Sequence, residues 1–264
     1  MKKRVISAVV MLAITFACVL LSTMSRVLFL AVLGILCCYE LSTQLEKLEV
    51  YCSAWVMYVY VASQALLALY KAPTMAYLVS FLCAIYLAML SGILRRKVSG
   101  NGALDTVAGL GYPAFLFAVL LMISVHRSWL QVMALGCVSS WACDTAALFG
   151  GTAFGKHKLA PQISPKKTIE GCLCGALASV LAGILLSLLP FMRDISLLSC
   201  ALTALIASSL GQMGDLAESM IKRMIGVKDF SDLIPGHGGV FDRVDSLLFS
   251  IPAAFVCLYI AGAV

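Results

Sequence analysis

Long apolar runs, separated by charged or Gly- and Pro-containing stretches, set the pattern of this sequence. A helix of about 20 apolar residues is long enough to cross the hydrocarbon core of a bilayer. Runs of this kind lie at roughly residues 5–22, 27–41, 52–70, 73–94, 106–124, 129–149, 170–190, 195–216 and 246–262. The pattern predicts an all-α fold, a polytopic transmembrane helical bundle with about nine spans. The second run is short for a span, so we expect it to tilt little or to form a tight hairpin with the first.

The composition and the first residues agree with a membrane protein. Hydrophobic residues make up 62% of the 264 residues and charged residues 12%, against about 45–50% and about 25% in soluble domains. Met1–Arg4 and the run behind it resemble a signal peptide. No A-x-A-like cleavage site precedes Arg26 and further spans follow, so we interpret this run as a retained first span. The 11 cysteines form no C-x-x-C pair or Cys/His cluster and are interpreted as small apolar residues.

Basic residues divide unevenly between the two sides of the predicted bundle. With nine spans and a cytoplasmic N-terminus, only Arg26, Lys71, Arg127 and Arg193 of the 19 Lys and Arg residues face the opposite side. This is the positive-inside distribution of membrane proteins, and it places the C-terminus opposite the cytoplasm. The net charge of +6 therefore reflects topology, and we expect no nucleic-acid partner.

Two cytoplasmic segments are longer and more polar than the other connections. They comprise residues 150–169 and 217–245, and we expect both loops to carry function. Six of the 13 acidic residues fall between Asp215 and Asp245. On this basis we divide the chain into N-terminal transmembrane helices, residues 1–130, and a C-terminal transmembrane region, residues 131–264, which carries both loops and in which we expect the functional site.

The acids at the two ends of the second loop form pairs. Asp215 ends an apolar run, where an ionised carboxylate usually has a counter-charge such as a metal ion. Asp215, Glu218 and Lys222 follow at i, i+3 and i+7, on one face of a helix that continues out of the membrane. The alternative is a solvated helix end with a Glu218–Lys222 pair.

Asp242 and Asp245, at i and i+3, open the last span. Paired acids suit Mg²⁺, which prefers oxygen ligands and shares them with phosphates, although acids also stabilise a helix start.

Between the acid pairs lies a Gly- and Pro-rich turn, from Lys228 to Gly239, whose composition excludes a helix. Its glycines can bring main-chain N–H groups close to a ligand, as phosphate-binding loops do. His237 within the turn can donate a hydrogen bond to a phosphate or can merely brace the turn. We favour a ligand-binding role because charge pairs flank the turn on both sides.

The first loop carries basic and hydroxyl residues. Its segment Gly150–Lys156 fits G-x-x-x-x-G-K, but His157 stands where a P-loop has Ser or Thr, and a membrane helix precedes the motif. A P-loop is therefore rejected. Two lysines and two hydroxyl residues precede the next span: Ser164, Lys166, Lys167 and Thr168. Ser164 or Thr168 can cap the helix while the lysines bind phosphate oxygens. Alternatively, the lysines only fix topology.

Two further carboxylates lie in apolar runs. Asp144 lies inside the sixth run, three residues after Trp141, and an intramembrane carboxylate indicates a functional site by default. Glu40 lies near the end of the second run, where it can reach the membrane interface. We interpret Glu40 as structural.

The segment from Ser219 to Asp245 resembles the signature of the phosphatidate cytidylyltransferases, also called CDP-diacylglycerol synthases. The matching residues, without a gap, are Ser219-x-Ile221-Lys222-Arg223-x₄-Lys228-Asp229-x-Ser231-x₂-Ile234-Pro235-x-His237-Gly238-Gly239-Val240-x-Asp242-Arg243-Val244-Asp245. Segments that are also similar to the bacterial members are Trp141-x-x-Asp144-x-x-Ala147, Gly155-Lys156-His157-Lys158-Leu159-Ala160-Pro161 and Ser164-Pro165-x-Lys167-Thr168. Leu148 departs from the pattern, because many relatives have Tyr there. The first 130 residues agree only in being hydrophobic spans.

The resemblance implies an enzyme of the bacterial inner membrane that makes CDP-diacylglycerol and pyrophosphate from CTP and phosphatidic acid. We expect catalytic roles for Asp215, Asp242, Asp245 and Lys222, with the three aspartates as ligands of Mg²⁺ and a second cation left open. The residues expected to contact substrate are Asp144, Ser164, Lys166, Lys167, Thr168, Ser219, Arg223, Lys228, Asp229, His237, Gly238, Gly239 and Arg243. The expected partners are CTP, phosphatidic acid and membrane lipids, and a homodimer is left open.

Other activities compete with this interpretation. A polyprenol kinase would also use CTP but would transfer only its terminal phosphate. A CDP-alcohol phosphotransferase is disfavoured because its D-G-x₂-A-R motif is missing. A cation transporter or channel could bind its ion at Asp144 and Asp215, but it leaves the two cytoplasmic loops unexplained. No internal repeat stands out, although many transporters are built from related halves.

Overall fold

The computed structural model of the chain describes residues 2–50, 52–94, 101–234, 236 and 238–264. Helices form over each of the nine apolar runs. The helices are α1 Lys2–Leu21, α2 Thr23–Glu46, α3 Ala54–Leu69, α4 Thr74–Leu94, α5 Asn101–Gly109, α6 Phe115–Ser124, α7 Trp129–Phe154, α8 Ile169–Ser187, α9 Leu197–Ile225, α10 Phe241–Val244 and α11 Leu247–Ile260. A π-helical turn, Leu110–Ala114, joins α5 to α6 around Pro113, since proline disrupts the helical hydrogen-bond ladder.

The helices make the chain an all-α polytopic membrane protein. Among the described residues, seven helical segments are long and apolar enough to cross a membrane. The apolar helical segments Val9–Leu21 and Ala54–Leu69 are shorter. The count of nine spans therefore stays a prediction.

The expectation of a short second span is wrong, because α2 is 24 residues long. Ser22 caps its start by accepting a hydrogen bond from the N–H of Ser25. At the other end Glu40 and Gln44 are buried within the helix. The polar side chains that end the apolar pattern thus do not end the helix. α1 and α2 pack against each other, as the hairpin alternative predicts.

By packing, the chain forms two units. The first contains the chain up to Val125 together with Ile225–Arg243, and the second contains His126–Met224 together with Val244–Val264. In the first unit, α2 packs against α1, α3 and α6. The segment 225–243, which we assigned to the C-terminal region, thus packs with the N-terminal helices.

The second unit is built around α7, which packs along α8 and against α11. Small residues allow the close approach of α7 and α8. A Cβ atom at Gly175 would lie 2.8 Å from the carbonyl oxygen of Cys143. Close backbone contact at small residues is a usual way to join membrane helices.

The two predicted loops are shorter than expected. α7 extends to Phe154, and the loop 150–169 then forms an antiparallel hairpin of β1 Lys158–Ala160 and β2 Ser164–Thr168. α9 continues to Ile225, as the Asp215, Glu218 and Lys222 spacing predicts for a helix leaving the apolar run. Apart from residues 235 and 237, which lie outside the described residues, the stretch from 226 to 240 is non-helical, and we call it the 226–240 turn.

Candidate active site

Three of the predicted acids gather in the second unit. Asp144 comes from α7, Asp215 from α9, and Asp245 from the start of the last helical segment. Asp215 interacts electrostatically with both Asp144 and Asp245, and Asp144 interacts with Asp245. We call these three residues the carboxylate cluster. Helical segments distant in sequence thus bring carboxyl groups together, which is unfavourable unless cations balance their charges or a proton neutralises one of them.

A lysine of the hairpin forms an ion pair with one acid of the carboxylate cluster. The Nζ atom of Lys167 lies 2.5 Å from Oδ2 of Asp215, and the two side chains are 26% and 29% exposed. Ser219, one helical turn along α9, donates a longer hydrogen bond of 3.4 Å to Oδ1 of Asp215. Because both members of the ion pair reach solvent, another ligand can contact them without unfolding the helix.

A second cation, Lys222, is already paired on its own helix. Its Nζ lies 2.5 Å from Oε2 of Glu218, whose side chain is 0% exposed. The Glu218–Lys222 pair that we considered as an alternative is therefore confirmed. Lys222 also interacts electrostatically with Asp245. The catalytic role of Lys222 stays a prediction. Its ion pair balances the charge of the buried Glu218 carboxylate.

The charges of this region fit a metal ion. Asp144, Asp215, Asp245 and Glu218 bring four carboxylates, against the two lysines that interact with them. Among the described residues, no three His, Cys, Asp or Glu side chains converge tightly enough to hold an ion by themselves. The described residues alone therefore form no metal site, and the predicted Mg²⁺ would need waters and substrate phosphates as further ligands, as Mg²⁺ commonly has. Asp215 and Asp245 are the residues that would hold it.

The hairpin is fastened to α8 at its base. Glu170 accepts hydrogen bonds from the main-chain N–H groups of Lys156 and His157, and its Oε1 lies 2.6 Å from Nδ1 of His157. Thr168 caps α8 by accepting a hydrogen bond from the N–H of Gly171, so the predicted cap is confirmed. These contacts give β2, which carries Lys167, a defined position.

Three more predicted residues lie on or against the hairpin. Ser164 is half-buried, Lys166 is exposed, and Nε of Arg223 donates a hydrogen bond of 3.3 Å to the carbonyl oxygen of Ile163. The exposed side chain of Lys166 is accessible to an anionic ligand. The substrate contacts of these residues stay predictions.

An apolar groove of about 650 Å³ lies on α7 and α8. Trp141, Thr145 and Phe149 of α7 line it, together with Cys174 of α8. The groove is open and mostly apolar, which suits a hydrocarbon chain rather than a nucleotide.

Asp242 belongs to the first unit, where it organises the 226–240 turn. The residue is 9% exposed, and its Oδ2 accepts hydrogen bonds from the N–H groups of Phe230 at 3.0 Å and Gly239 at 2.8 Å. One carboxylate oxygen therefore joins positions 230 and 239 of the turn. Its role as a metal ligand stays a prediction.

Glu40 of α2 is the functional candidate that the sequence interpretation missed. Its exposed fraction is 2%, and its place at the level of the membrane interface stays a prediction. Its carboxylate accepts hydrogen bonds from Oγ of Ser231 at 2.6 Å and from the N–H groups of Val240 at 2.9 Å and Phe241 at 2.8 Å. Gln44, one helical turn later, donates to the carbonyl oxygen of Phe230. The i, i+4 spacing of Glu40 and Gln44 in an apolar run indicates a polar helix face. It does not indicate which segment of the chain binds that face.

The glycines of the turn serve this network. Gly238 has φ +82°, a conformation that favours glycine. A Cβ atom at Gly239 would lie 2.7 Å from Oε2 of Glu40, and the Gly239 N–H already donates to Asp242. That amide is thus engaged within the protein, and the predicted substrate contacts of both glycines stay predictions.

Lys228, Asp229 and Arg243 are exposed, whereas His237 lies outside the described residues.

These features define a class of protein: a polytopic helical membrane protein whose polar residues gather at a carboxylate cluster and at a carboxylate-bound turn. A family model described as the cytidylyltransferase family matches residues 2–261. The chain belongs to the cytidylyltransferase family.

Several bacterial proteins named phosphatidate cytidylyltransferase are similar to part of the chain. The Brucella suis protein is 46% identical over 127 residues, which cover 47% of this chain and 44% of the relative. The Staphylococcus haemolyticus protein is 46% identical over 119 residues, 45% of each chain. The Haemophilus influenzae protein is 47% identical over 115 residues, 42% of this chain and 40% of the relative. Each match therefore spans less than half the length of the relative.

Proposed function

We propose that the chain is a phosphatidate cytidylyltransferase, which transfers CMP from CTP to phosphatidic acid and produces CDP-diacylglycerol and pyrophosphate. The observation that carries the proposal is the carboxylate cluster with its accessible Lys167–Asp215 pair, in a chain of the cytidylyltransferase family. The names of the similar bacterial proteins support this choice of substrates.

The reaction requires charge balance more than proton transfer. A phosphate oxygen of phosphatidic acid attacks the α-phosphorus of CTP, the bond to the β-phosphate oxygen breaks, and pyrophosphate leaves. The nucleophile is already anionic, so no strong general base is needed, and positioning with electrostatic stabilisation supplies most of the catalysis. Bound Mg²⁺ would neutralise the triphosphate, held by Asp215 and Asp245 with Asp242 as the third predicted ligand.

Basic side chains complete the proposed site. Lys166, Lys167 and Arg223 would contact phosphate oxygens, since guanidinium and ammonium groups bind them with charge-assisted hydrogen bonds. We assign the apolar groove on α7 and α8 to an acyl chain of the lipid.

The proposed setting is the bacterial inner membrane, crossed about nine times, with the N-terminus and the active site cytoplasmic and the C-terminus on the opposite side. We propose a homodimer as the assembled state. Cysteine-accessibility labelling of the two termini tests the orientation, and sedimentation of the purified protein tests the dimer.

The activity is tested by incubating purified protein with labelled CTP and measuring the product that enters chloroform. We expect chloroform-soluble label and stoichiometric pyrophosphate only when phosphatidic acid and Mg²⁺ are both present. Release of CDP with a phosphorylated lipid would instead identify a kinase. Ion flux into liposomes without any metal-dependent use of CTP would support a transporter and overturn the proposal.

A further inference from the structure

Glu40 is a buried acid whose charge is balanced by donors from one segment. Its three hydrogen bonds come from Ser231, Val240 and Phe241, all within eleven residues of one another and far from α2 in sequence. Among the described side chains, none forms an ion pair with it. Burying a carboxylate without a cation costs stability that an apolar side chain would not. In return, the three hydrogen bonds of Glu40 hold this segment in one conformation.

Glu40 and Asp242 hold the same stretch of main chain. Asp242 accepts the N–H of Gly239, and Glu40 accepts the next two N–H groups, those of Val240 and Phe241. Three consecutive amides are therefore bound by two carboxylates. Because Phe241 directly precedes Asp242, the main chain that aims the Asp242 carboxylate is itself fastened by Glu40.

The local sequence leaves room for this arrangement. Any side chain at position 239 would meet both carboxylate oxygens of Glu40, which lie 2.7 Å and 2.8 Å from an ideal Cβ atom. Gly239 thus permits the approach of Glu40, and Gln44 adds a contact to Phe230 at the other end of the turn.

We propose that Glu40 is a positioning residue of the active site: it fixes the 226–240 turn and thereby the positions of Asp242 and Arg243, which are predicted to contact metal and substrate. This inference rests on the proposed function, because it supposes that Asp242 and Arg243 serve the transfer of CMP. In this proposal Glu40 acts indirectly, through its hydrogen bonds to the main chain of Val240 and Phe241.

The test compares Glu40→Gln with Glu46→Gln, a matched control on the same helix whose side chain is exposed. An amide retains the size of the carboxylate but has no charge and only one acceptor oxygen, so at least one of the three hydrogen bonds is lost and the others are weakened. We expect kcat per folded molecule to fall about tenfold to a hundredfold in Glu40→Gln, the range for hydrogen bonds to charged groups. The KM for CTP should change less than about threefold, because an interaction that acts in the transition state lowers kcat. Glu46→Gln should match the parent protein.

A second variant keeps the proposal testable if Glu40→Gln does not fold. Ser231→Ala removes a single donor to Glu40 and should lower kcat about threefold. In the double variant the two losses should not multiply, since both act through one carboxylate. The proposal is overturned if folded Glu40→Gln retains the kcat of Glu46→Gln, or if the two losses multiply as independent effects. An inactive parent protein would instead refute the proposed function.

Discussion

In the carboxylate cluster, Asp215 is paired with a lysine side chain, whereas Glu40 and Asp242 are bonded to main-chain amides of the segment that contains the 226–240 turn. Asp215 and Lys167 are each about one quarter exposed, while Glu40 is 2% exposed and Asp242 9% exposed. A partly exposed ion pair contributes only about 0–1 kcal/mol, so it can exchange partners when a ligand arrives. Buried carboxylates with several donors lose much more when a bond is broken, about 1–3 kcal/mol for each unsatisfied group. The carboxylate cluster is thus suited to binding and the turn to holding a shape.

The largest effect is expected at Asp215, the acid of the carboxylate cluster that is both accessible and paired. Asp215→Asn removes a negative charge and a strong oxygen ligand, so turnover should fall by about 10²–10³-fold or more. Membrane insertion should not change, because the side chain is 29% exposed and its size is retained. CTP incorporation into lipid per inserted molecule is the measurement.

Asp194→Asn is the control for this variant, since Asp194 is an exposed acid in the same unit and outside the proposed site. Asp194→Asn should have parental activity. Near-parental turnover of Asp215→Asn would contradict its assignment as a metal ligand.

An intermediate effect is expected at Gly239, which lies in the 226–240 turn. In Gly239→Ala the new methyl group would enter the space of the Glu40 carboxylate, 2.7 Å away. At least one hydrogen bond between Glu40 and the turn should break, and activity should fall about tenfold to a hundredfold. Limited trypsin cleavage at Lys228, an exposed site in the turn, should become faster.

Gly111→Ala is the control for this substitution, because a Cβ atom at Gly111 meets nothing within 4 Å. If Gly239→Ala left both activity and cleavage at the level of Gly111→Ala, the turn would not depend on close approach of Glu40.

The sequence predicted the local features of this fold well because they depend on neighbouring residues. Apolar runs produced helices, and the spacing of Asp215, Glu218 and Lys222 predicted both the continuation of α9 and the Glu218–Lys222 pair. Thr168 was likewise identifiable as a cap, since a cap bonds to an amide three residues away.

The features that the sequence interpretation missed depend on distant contacts. Glu40 bonds to residues about 200 positions later, and no pattern within α2 identifies such a partner. The length of α2 was missed for the same reason, because tertiary contacts bury polar side chains that would otherwise mark a helix end. The hairpin lacks alternating apolar residues, and it is fastened at its base by Glu170 of the following helix.

The smallest effect is expected at Lys167, and it tests the difference between exchangeable and fixed contacts directly. Lys167→Gln removes the cation of an ion pair that is one quarter exposed, so unfolding free energy should fall by no more than about 1 kcal/mol. Activity should fall about tenfold, the loss for one charge-assisted contact to phosphate, with Lys158→Gln as a control on the neighbouring strand. Apparent affinity for Mg²⁺ should rise slightly, because Asp215 loses a competing cation. If Lys167→Gln instead destabilised the protein more than Gly239→Ala, the carboxylate cluster would be a structural anchor, and the turn would be the more adaptable of the two.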